Sequence, residues 1–292
     1  MVTPFFSVII PSYNRAHFLQ AALNDLARQT FSDFEIIVVD DGSTDSSREV
    51  VEGVKDSRVR YVFQENKERG AARNHGLELA RGQFVTFFDS DDSLMPSHLQ
   101  SAFEFQRANK PLAFHNGYEI FSGSSRIKKV IVAPNINQGL VTGNGLSCIG
   151  VFVDRSLMKA VRFREDRLLA GLEDWDAWLR VAARTPILVN PKVTGRLVQH
   201  PRRSVMRINP ETISERISLF MQSIKSDDQC QTVYEQDFNR IEASLTSYMA
   251  LHLAIDGGKK SHVVRLLSQA VKLHWGEIYR KRFFVVLKLL AQ

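Results

Sequence analysis

Cysteine is scarce in this chain: Cys148 and Cys230 are the two among 292 residues. They share no C-x-x-C or metal-ligand spacing. That excludes a disulfide framework and a thiolate zinc site, and a reduced cytoplasmic setting is the expectation. No apolar run approaches the roughly 20 residues that span a bilayer, so no transmembrane helix is expected. The opening stretch MVTPFFSVIIPSYNR has no basic segment ahead of its apolar run and no cleavage site, so a signal peptide is not expected either. Glycine-rich phosphate cradles are missing too: neither G-x-G-x-x-G nor G-x-x-x-x-G-K-[ST] occurs, and phosphate recognition would need another device. There are no internal repeats and no low-complexity segments.

Excess charge is confined to one place. From Gly257 to Gln292 the chain carries Lys259, Lys260, Arg265, Lys272, Arg280, Lys281, Arg282 and Lys288 against one acid, Glu277. That is a net +7, where the whole chain has +6. The main body is therefore close to neutral and is not a basic nucleic-acid binder; the basic character belongs to the tail. A hydrophobic share of 44% and a charged share of 24% are ordinary for a soluble globular protein.

What is present has a rhythm. FFSVII, FEIIVVD, RVRYVF and QFVTFF read as strands. Between them, AHFLQAALNDLARQ, the segment after DGSTD and GAARNHGLELARG read as helices, with Asp45 placed to cap the second and Gly82 near the end of the third. Near-continuous apolar strands alternating with helices predict a mostly parallel sheet covered on both faces. From about Pro111 the rhythm breaks. PLAFHNGYEIF, RIKKVIVAP and LSCIGVFVDR look like strands, EDWDAWLRVAAR is a helix, and ILVNPKVTGRLVQH is extended. After Pro210 come three apolar stripes at helical spacing: Ile213, Ile217, Phe220 and Ile224; Ile241, Leu245, Tyr248, Met249 and His252; Val263, Leu266, Leu267, Ala270 and Val271. The expected division is an α/β domain over 1–210 and a helical, basic extension over 211–292.

In an open parallel sheet, ligands bind outside the carboxyl ends of the strands. Those ends carry PSYN, DDGSTD, QENKERG and DSDD. Asp40, Asp41, Asp89, Asp91 and Asp92 thus fall on one edge. Asp after a strand is also a common turn or cap residue, and Asp92 reads best that way. Carboxylates this close repel, so a cation is expected among them. With no glycine cradle, a hard divalent ion such as Mg²⁺ or Mn²⁺ is the expected link to phosphate.

These residues carry a resemblance. FSVIIPSYNRAHFLQAALNDLARQTFSDFEIIVVDDGSTDSS, NKERGAARNHGLELARGQFVTFFDSDD and GLEDWDAWLR, in that order and spacing, are similar to the inverting nucleotide-sugar glycosyltransferases of family 2, which have the GT-A fold. The likeness covers about the first 200 residues. It implies that Pro11 and Tyr13 line the nucleotide base pocket and that Asp41 accepts a hydrogen bond from the base. It makes DSD the D-x-D motif, with Asp89 near the ribose and Asp91 on the metal. It places Arg73 and Asn74 in a segment supporting the donor, or simply holding the strand edge together. It matches His200, in LVQHPRRS, to a position near the diphosphate or metal, with Arg202 and Arg203 beside it. It matches Asp174 to the catalytic base.

Inverting transfer is a one-step displacement that needs a base for the acceptor hydroxyl. A carboxylate at a helix start beside Trp175 and Trp178 suits that task, although Glu173 and Asp174 also suit the helix dipole and the two tryptophans suit a core. Cys148 reads as a core residue. The resemblance thus implies a nucleotide-sugar donor, with UDP as the default, a glycan or lipid-linked acceptor, and a role in bacterial surface polysaccharide. Two alternatives stand beside it. A sugar-nucleotide pyrophosphorylase would open with a glycine-rich basic loop, which PSYNRAHF is not. A non-catalytic scaffold of the same fold would not need Asp41, Asp91 and Asp174 intact. The tail YRKRFFVVLKLLAQ suits either peripheral contact with anionic membrane or packing on the main domain.

Overall fold

The computed structural model describes residues 3–123, 125–130, 136–199 and 209–291. The chain begins β1 Phe6–Ser12, α1 Ala16–Ala27, β2 Phe34–Asp40, α2 Ser47–Glu52, β3 Val59–Phe63, α3 Glu68–Leu79 and β4 Phe84–Phe87. It continues with β5 Ser93–Leu94, α4 His98–Asn109, β6 Ala113–Ser122, β7 Ser125–Val130, α5 Ile136–Leu140, β8 Val151–Asp154, α6 Arg155–Val161, α7 Glu173–Ala182 and β9 Ile187–Gln199. It closes with α8 Ile213–Lys225, α9 Asp228–Tyr234, α10 Phe238–Ile255, α11 Lys260–Leu273 and α12 Lys281–Leu290.

Two compact units result, interleaved along the chain. One comprises Met1–Ile136, Leu146–Arg167 and Thr185–Pro201; the other comprises Asn137–Gly145, Leu168–Arg184 and Arg202–Gln292. This packing differs from a single boundary at residue 210. Helix α7, expected in the α/β part, belongs to the helical unit.

The first unit is built on one sheet in the order β3-β2-β1-β4-β8-β6-β9-β5, with β7 on β6. β3, β2, β1 and β4 run parallel, as the alternation of strands and helices predicts. Beyond β4 the sheet is mixed: β8 is antiparallel to β4 and β6, while β9 runs parallel to β6. β2 is buried along its whole length and β1 at every residue but Pro11, the mark of central strands covered on both faces. Pro11 costs little ladder on the β4 side, because that pairing ends at Ile9 and Phe87. On one face Phe6, Val8 and Ile10 pack with Leu19, Leu23 and Leu26 of α1 and with Phe34, Ile36 and Val38. On the other, α3 comes close through Gly76, where a Cβ would lie 2.4 Å from Ile9 Cγ2. The strand expected over 146–155 begins only at Val151, because Cys148–Gly150 form a tight turn. There Ser147 N–H donates to His115 Nε2 at 3.1 Å.

The second unit is helical. The three stripes after Pro210 bury Ile217, Phe220, Ile224, Ile241, Leu245, Met249, Val263 and Leu267. Helix α7 adds Trp175, which meets the Phe220 ring at 5.2 Å. Polar contacts join α7 to α8 and α9: Ser223 Oγ donates to Asp176 Oδ1 at 2.5 Å, and Arg184 forks onto Asp227 at 2.8 and 3.1 Å. No helix among the described residues is long and apolar enough to cross a membrane.

Candidate active site

The carboxyl ends of the parallel strands gather the acids expected there. Asp40 closes β2; its carboxylate accepts from Tyr61 Oη at 2.7 Å and from Ser43 N–H at 2.8 Å. Burial and that carboxylate push the Tyr61 phenol well above its ordinary range, so it stays a donor. Asp41, matched to recognition of the base, is also buried. It accepts from Gln64 Nε2 at 2.6 Å, Lys67 N–H at 2.9 Å and Asn66 Nδ2 at 3.1 Å. These donors are what a buried carboxylate requires, and they bind the loop after β3 to the end of β2. Gly42, at φ 84°, makes the turn that follows.

The loop after β1 is fastened to the loop after β2. Asn14 Oδ1 accepts from Thr44 N–H at 2.8 Å, Asn14 N–H donates to Ser43 Oγ at 2.8 Å, and Ala16 N–H donates to Asp45 at 3.0 Å. Burial pushes the Asp45 carboxyl up, but hydrogen bonds from Ser47 and Ala16 outweigh it and leave the group below the ordinary range. Asp45 therefore serves the starts of two helices, α2 as expected and also α1. Pro11 lies in β1 beside Val39, and Tyr13 just after the strand is 49% exposed.

The D-x-D carboxylates are not a bare anionic pair. Arg73 Nη2 donates to Asp89 Oδ1 at 2.9 Å, and Arg15 Nη1 donates to Asp91 Oδ2 at 2.5 Å. The positive charge that clustered carboxylates demand is supplied by two arginines. Arg15 was not legible as a partner: the motif PSYNR shows a cation after a strand but not the carboxylate it reaches. Asn74 does not face these acids. It holds the segment after α6, donating to the Phe163 carbonyl at 2.9 Å and accepting from Phe163 N–H at 2.9 Å. Asp92 N–H turns back onto the Asp89 carbonyl at 3.0 Å, while its carboxylate accepts from Val198 N–H at 3.0 Å and ties the loop to β9. His200, Arg202 and Arg203 lie outside the described residues.

Among the described residues no group of three His, Cys, Asp or Glu is arranged to hold a metal ion. The donor set nevertheless fits Mg²⁺ or Mn²⁺ in another way. Such ions are commonly held by one or two carboxylates, with substrate phosphates and water completing the shell. Asp91, matched to the metal, offers a hard carboxylate oxygen at the strand end. Arg15 would have to yield Asp91 Oδ2 to the ion.

Asp174, matched to the base, belongs to the second unit. It is half-buried in the first turn of α7, with Glu173 and Asp176 buried beside it. Its Oδ1 accepts Trp175 N–H at 2.8 Å and its Oδ2 accepts Asn144 Nδ2 at 2.9 Å. Burial, with the Asp174 charge second, pushes the Tyr248 phenol up to about 12. Trp175 and Trp178 are both core residues; Trp175 Nε1 donates to the Leu140 carbonyl at 2.8 Å. Asn144 has no motif to announce it.

Known proteins resemble the chain along this frame. WfgD of Escherichia coli, a UDP-Glc:alpha-D-GlcNAc-diphosphoundecaprenol beta-1,3-glucosyltransferase, is 31% identical over 177 residues, 60% of this chain and 68% of that protein. A GalNAc(5)-diNAcBac-PP-undecaprenol beta-1,3-glucosyltransferase of Campylobacter jejuni is 38% identical over 130 residues, 43% of this chain and 40% of that protein. The crystal structure of S. aureus TarS 1-349 in complex with UDP-GlcNAc superposes with a TM-score of 0.68 at 20% identity, covering 94% of this chain and 91% of that one. That likeness establishes the GT-A fold. The family model for glycosyl transferase family 2 matches residues 7–164, more than half of the chain and all of the strand-end acids from Asp40 to Asp92. The chain therefore belongs to glycosyl transferase family 2.

Proposed function

We propose that the protein is a cytoplasmic, divalent-metal-dependent, inverting glycosyltransferase. It moves a sugar from a nucleoside-diphosphate donor, a UDP-sugar by default, to a hydroxyl of a lipid-linked glycan in bacterial surface-polysaccharide synthesis. The observation that carries this reading is the gathering of Asp41, Asp89 and Asp91, with Arg73 and Arg15, at the ends of parallel strands that offer no glycine phosphate cradle. The undecaprenol-linked substrates printed for WfgD and the Campylobacter enzyme support the acceptor class.

Pro11, Tyr13 and Asp41 hold the nucleoside, Asp41 as acceptor for the base. Asp89, steadied by Arg73, meets the ribose. Asp91, with His200, holds Mn²⁺ or Mg²⁺. When bound, the ion supplies Lewis-acid stabilisation of the leaving diphosphate. Asp174 takes the proton of the acceptor hydroxyl as its oxygen forms the new bond to the anomeric carbon. The bond to the diphosphate breaks on the opposite face, so the configuration inverts. The exposed aromatic and basic residues of the tail support peripheral contact with anionic lipid, which would bring the enzyme to such an acceptor.

The test is a panel of nucleotide sugars assayed for transfer and hydrolysis with and without Mn²⁺. The expected result is turnover with one donor, dependence on the metal, and a loss of about 10²- to 10⁴-fold in Asp174→Asn, the usual worth of a general base. A loss under tenfold in that variant removes Asp174 from the chemistry. No metal-linked thermal stabilisation by any nucleoside diphosphate would leave a scaffold.

A further inference from the structure

Burying a guanidinium costs several kcal/mol unless its partners repay it. Arg282 opens the apolar helix α12, yet its side chain is only 15% exposed. Its partners are specific. Nη2 donates to the Thr142 carbonyl at 2.7 Å and also to Ser244 Oγ, and Nε lies 3.5 Å from Glu277 Oε2. Glu277 is itself fully buried and accepts from Ser247 Oγ at 2.6 Å. Such a network, anchored in α10 and the turn before α12, ends on the backbone of one short loop.

That loop follows α5, and the segment Asn137–Gly145 belongs to the same compact unit as α7 and α12. It turns at Gly143, whose φ of 147° favours glycine. Arg282 holds it at Thr142, and Trp175 Nε1 holds it at the Leu140 carbonyl. Between the turn and the end of the loop stands Asn144, whose amide reaches Asp174 Oδ2. The other oxygen, Oδ1, takes the N–H of Trp175. Both oxygens of the carboxylate are thus tied, one by its own helix and one by the loop.

We propose that Asn144 is a positioning residue for the Asp174 base and that Arg282 is the clamp that sets it in place; the proposal rests on the reading of Asp174 as the base. A carboxylate in a first helical turn has rotamers to choose from, and a misplacement of about 1 Å costs on the order of 10²-fold in rate. Two hydrogen bonds select one orientation without using up the four or so acceptor positions of a carboxylate. An amide suits the task better than a cation would. It orients the group without adding a positive charge beside it, so it lowers the basicity less than a cation would.

The full-length protein is assayed with donor and acceptor as the wild type, Asn144→Ala, Asp174→Asn and the double variant. Asn144→Ala is expected to lower kcat by roughly ten- to a hundredfold. The KM for the donor should stay within about twofold and the melting temperature within about 2 °C. In the Asp174→Asn background the same change should add less than about twofold, because residues acting as a unit are non-additive. Arg282→Met should lower kcat in the wild type and add little once Asn144 is Ala. If it fails to fold, the Asn144 cycle still decides. An Asp174→Asn loss under tenfold sinks the base reading and the proposal with it. A large Asp174→Asn loss with an unchanged Asn144→Ala kcat overturns the positioning role alone, and so do equal Asn144→Ala losses in the two backgrounds.

Discussion

The sheet unit and the helical unit treat charge in opposite ways. At the strand ends, Asp89 and Asp91 keep side-chain exposures of 28% and 9%, each against one arginine. In the helical unit, Asp176 and Arg180 are exposed by 0% and 2%, and Glu277 by 0%. An ion pair at a site that takes a charged ligand, as proposed for Asp89 and Asp91, has to be able to open. One that only holds the fold, such as the Asp176–Arg180 pair within α7, does not, and it can be sealed from water. Asp176 shows the second pattern: Arg180 Nε donates to Oδ2 at 2.9 Å while Ser223 takes Oδ1.

Matched alanine substitutions break this comparison most directly. Asp91→Ala is expected to abolish turnover and Mn²⁺-dependent binding of UDP, read by calorimetry, at a stability cost of about 1 kcal/mol or less. Asp176→Ala is expected to do the reverse. It leaves the Arg180 charge buried without its carboxylate, which costs about 3–5 kcal/mol in denaturant unfolding. Undiminished metal-dependent binding in the first variant, or unchanged unfolding in the second, would erase the distinction.

Acid should reach the sheet unit through two buried histidines. Burial pushes His98 down to about 4 and, together with the nearby His98, pushes His115 down to about 3. Both are neutral in the folded chain at neutral pH, while the unfolded chain takes up their protons near 6.5. Stability is therefore lost as pH falls from about 6.5 toward 4, by up to about 1.4 kcal/mol per pH unit for each histidine. Unfolding midpoints between pH 7 and 4 check this. A single His98→Gln variant that keeps the fold should flatten the slope.

The smallest effect concerns the tail. Trp275, Tyr279, Phe284 and Leu287 are exposed, and Lys281 and Lys288 share α12 with the last two. Sedimentation with anionic vesicles should weaken by roughly fivefold for each lysine changed to Gln, and should vanish with rising salt. Equal binding to neutral vesicles would remove the electrostatic part of the reading. Because Glu277 and Arg282 are interior residues, point variants test this surface where deletion of the tail would dismantle the helical unit.

Apolar periodicity made β1, β2, α1 and α3 legible, because local patterning sets which face is buried. The C-terminal edge of a parallel sheet could then be drawn, with Asp41, Asp89 and Asp91 on it. The mixed half of the sheet was less legible, since β8 enters antiparallel between β4 and β6, and the order β4-β8-β6-β9 is not the order of the strands along the chain. The membership of α7 in the helical unit was not legible at all: EDWDAWLR shows an amphipathic helix but not which surface receives it.

The kinds of chemistry available, and the strand ends that offer them, follow from the sequence by itself, since they depend on residue type and short-range spacing. The partners do not. Arg15 finds Asp91 across 76 positions, and Arg282 finds the Thr142 carbonyl across 140. In YRKRFF three cations look alike, yet Arg282 is drawn in to 15% exposure against Glu277, while Arg280 reaches the same carboxylate at 3.8 Å from 34% exposure. Charge pairing over such separations is decided by packing, because the free energy of a buried ion depends on what surrounds it and not on its neighbours in the chain.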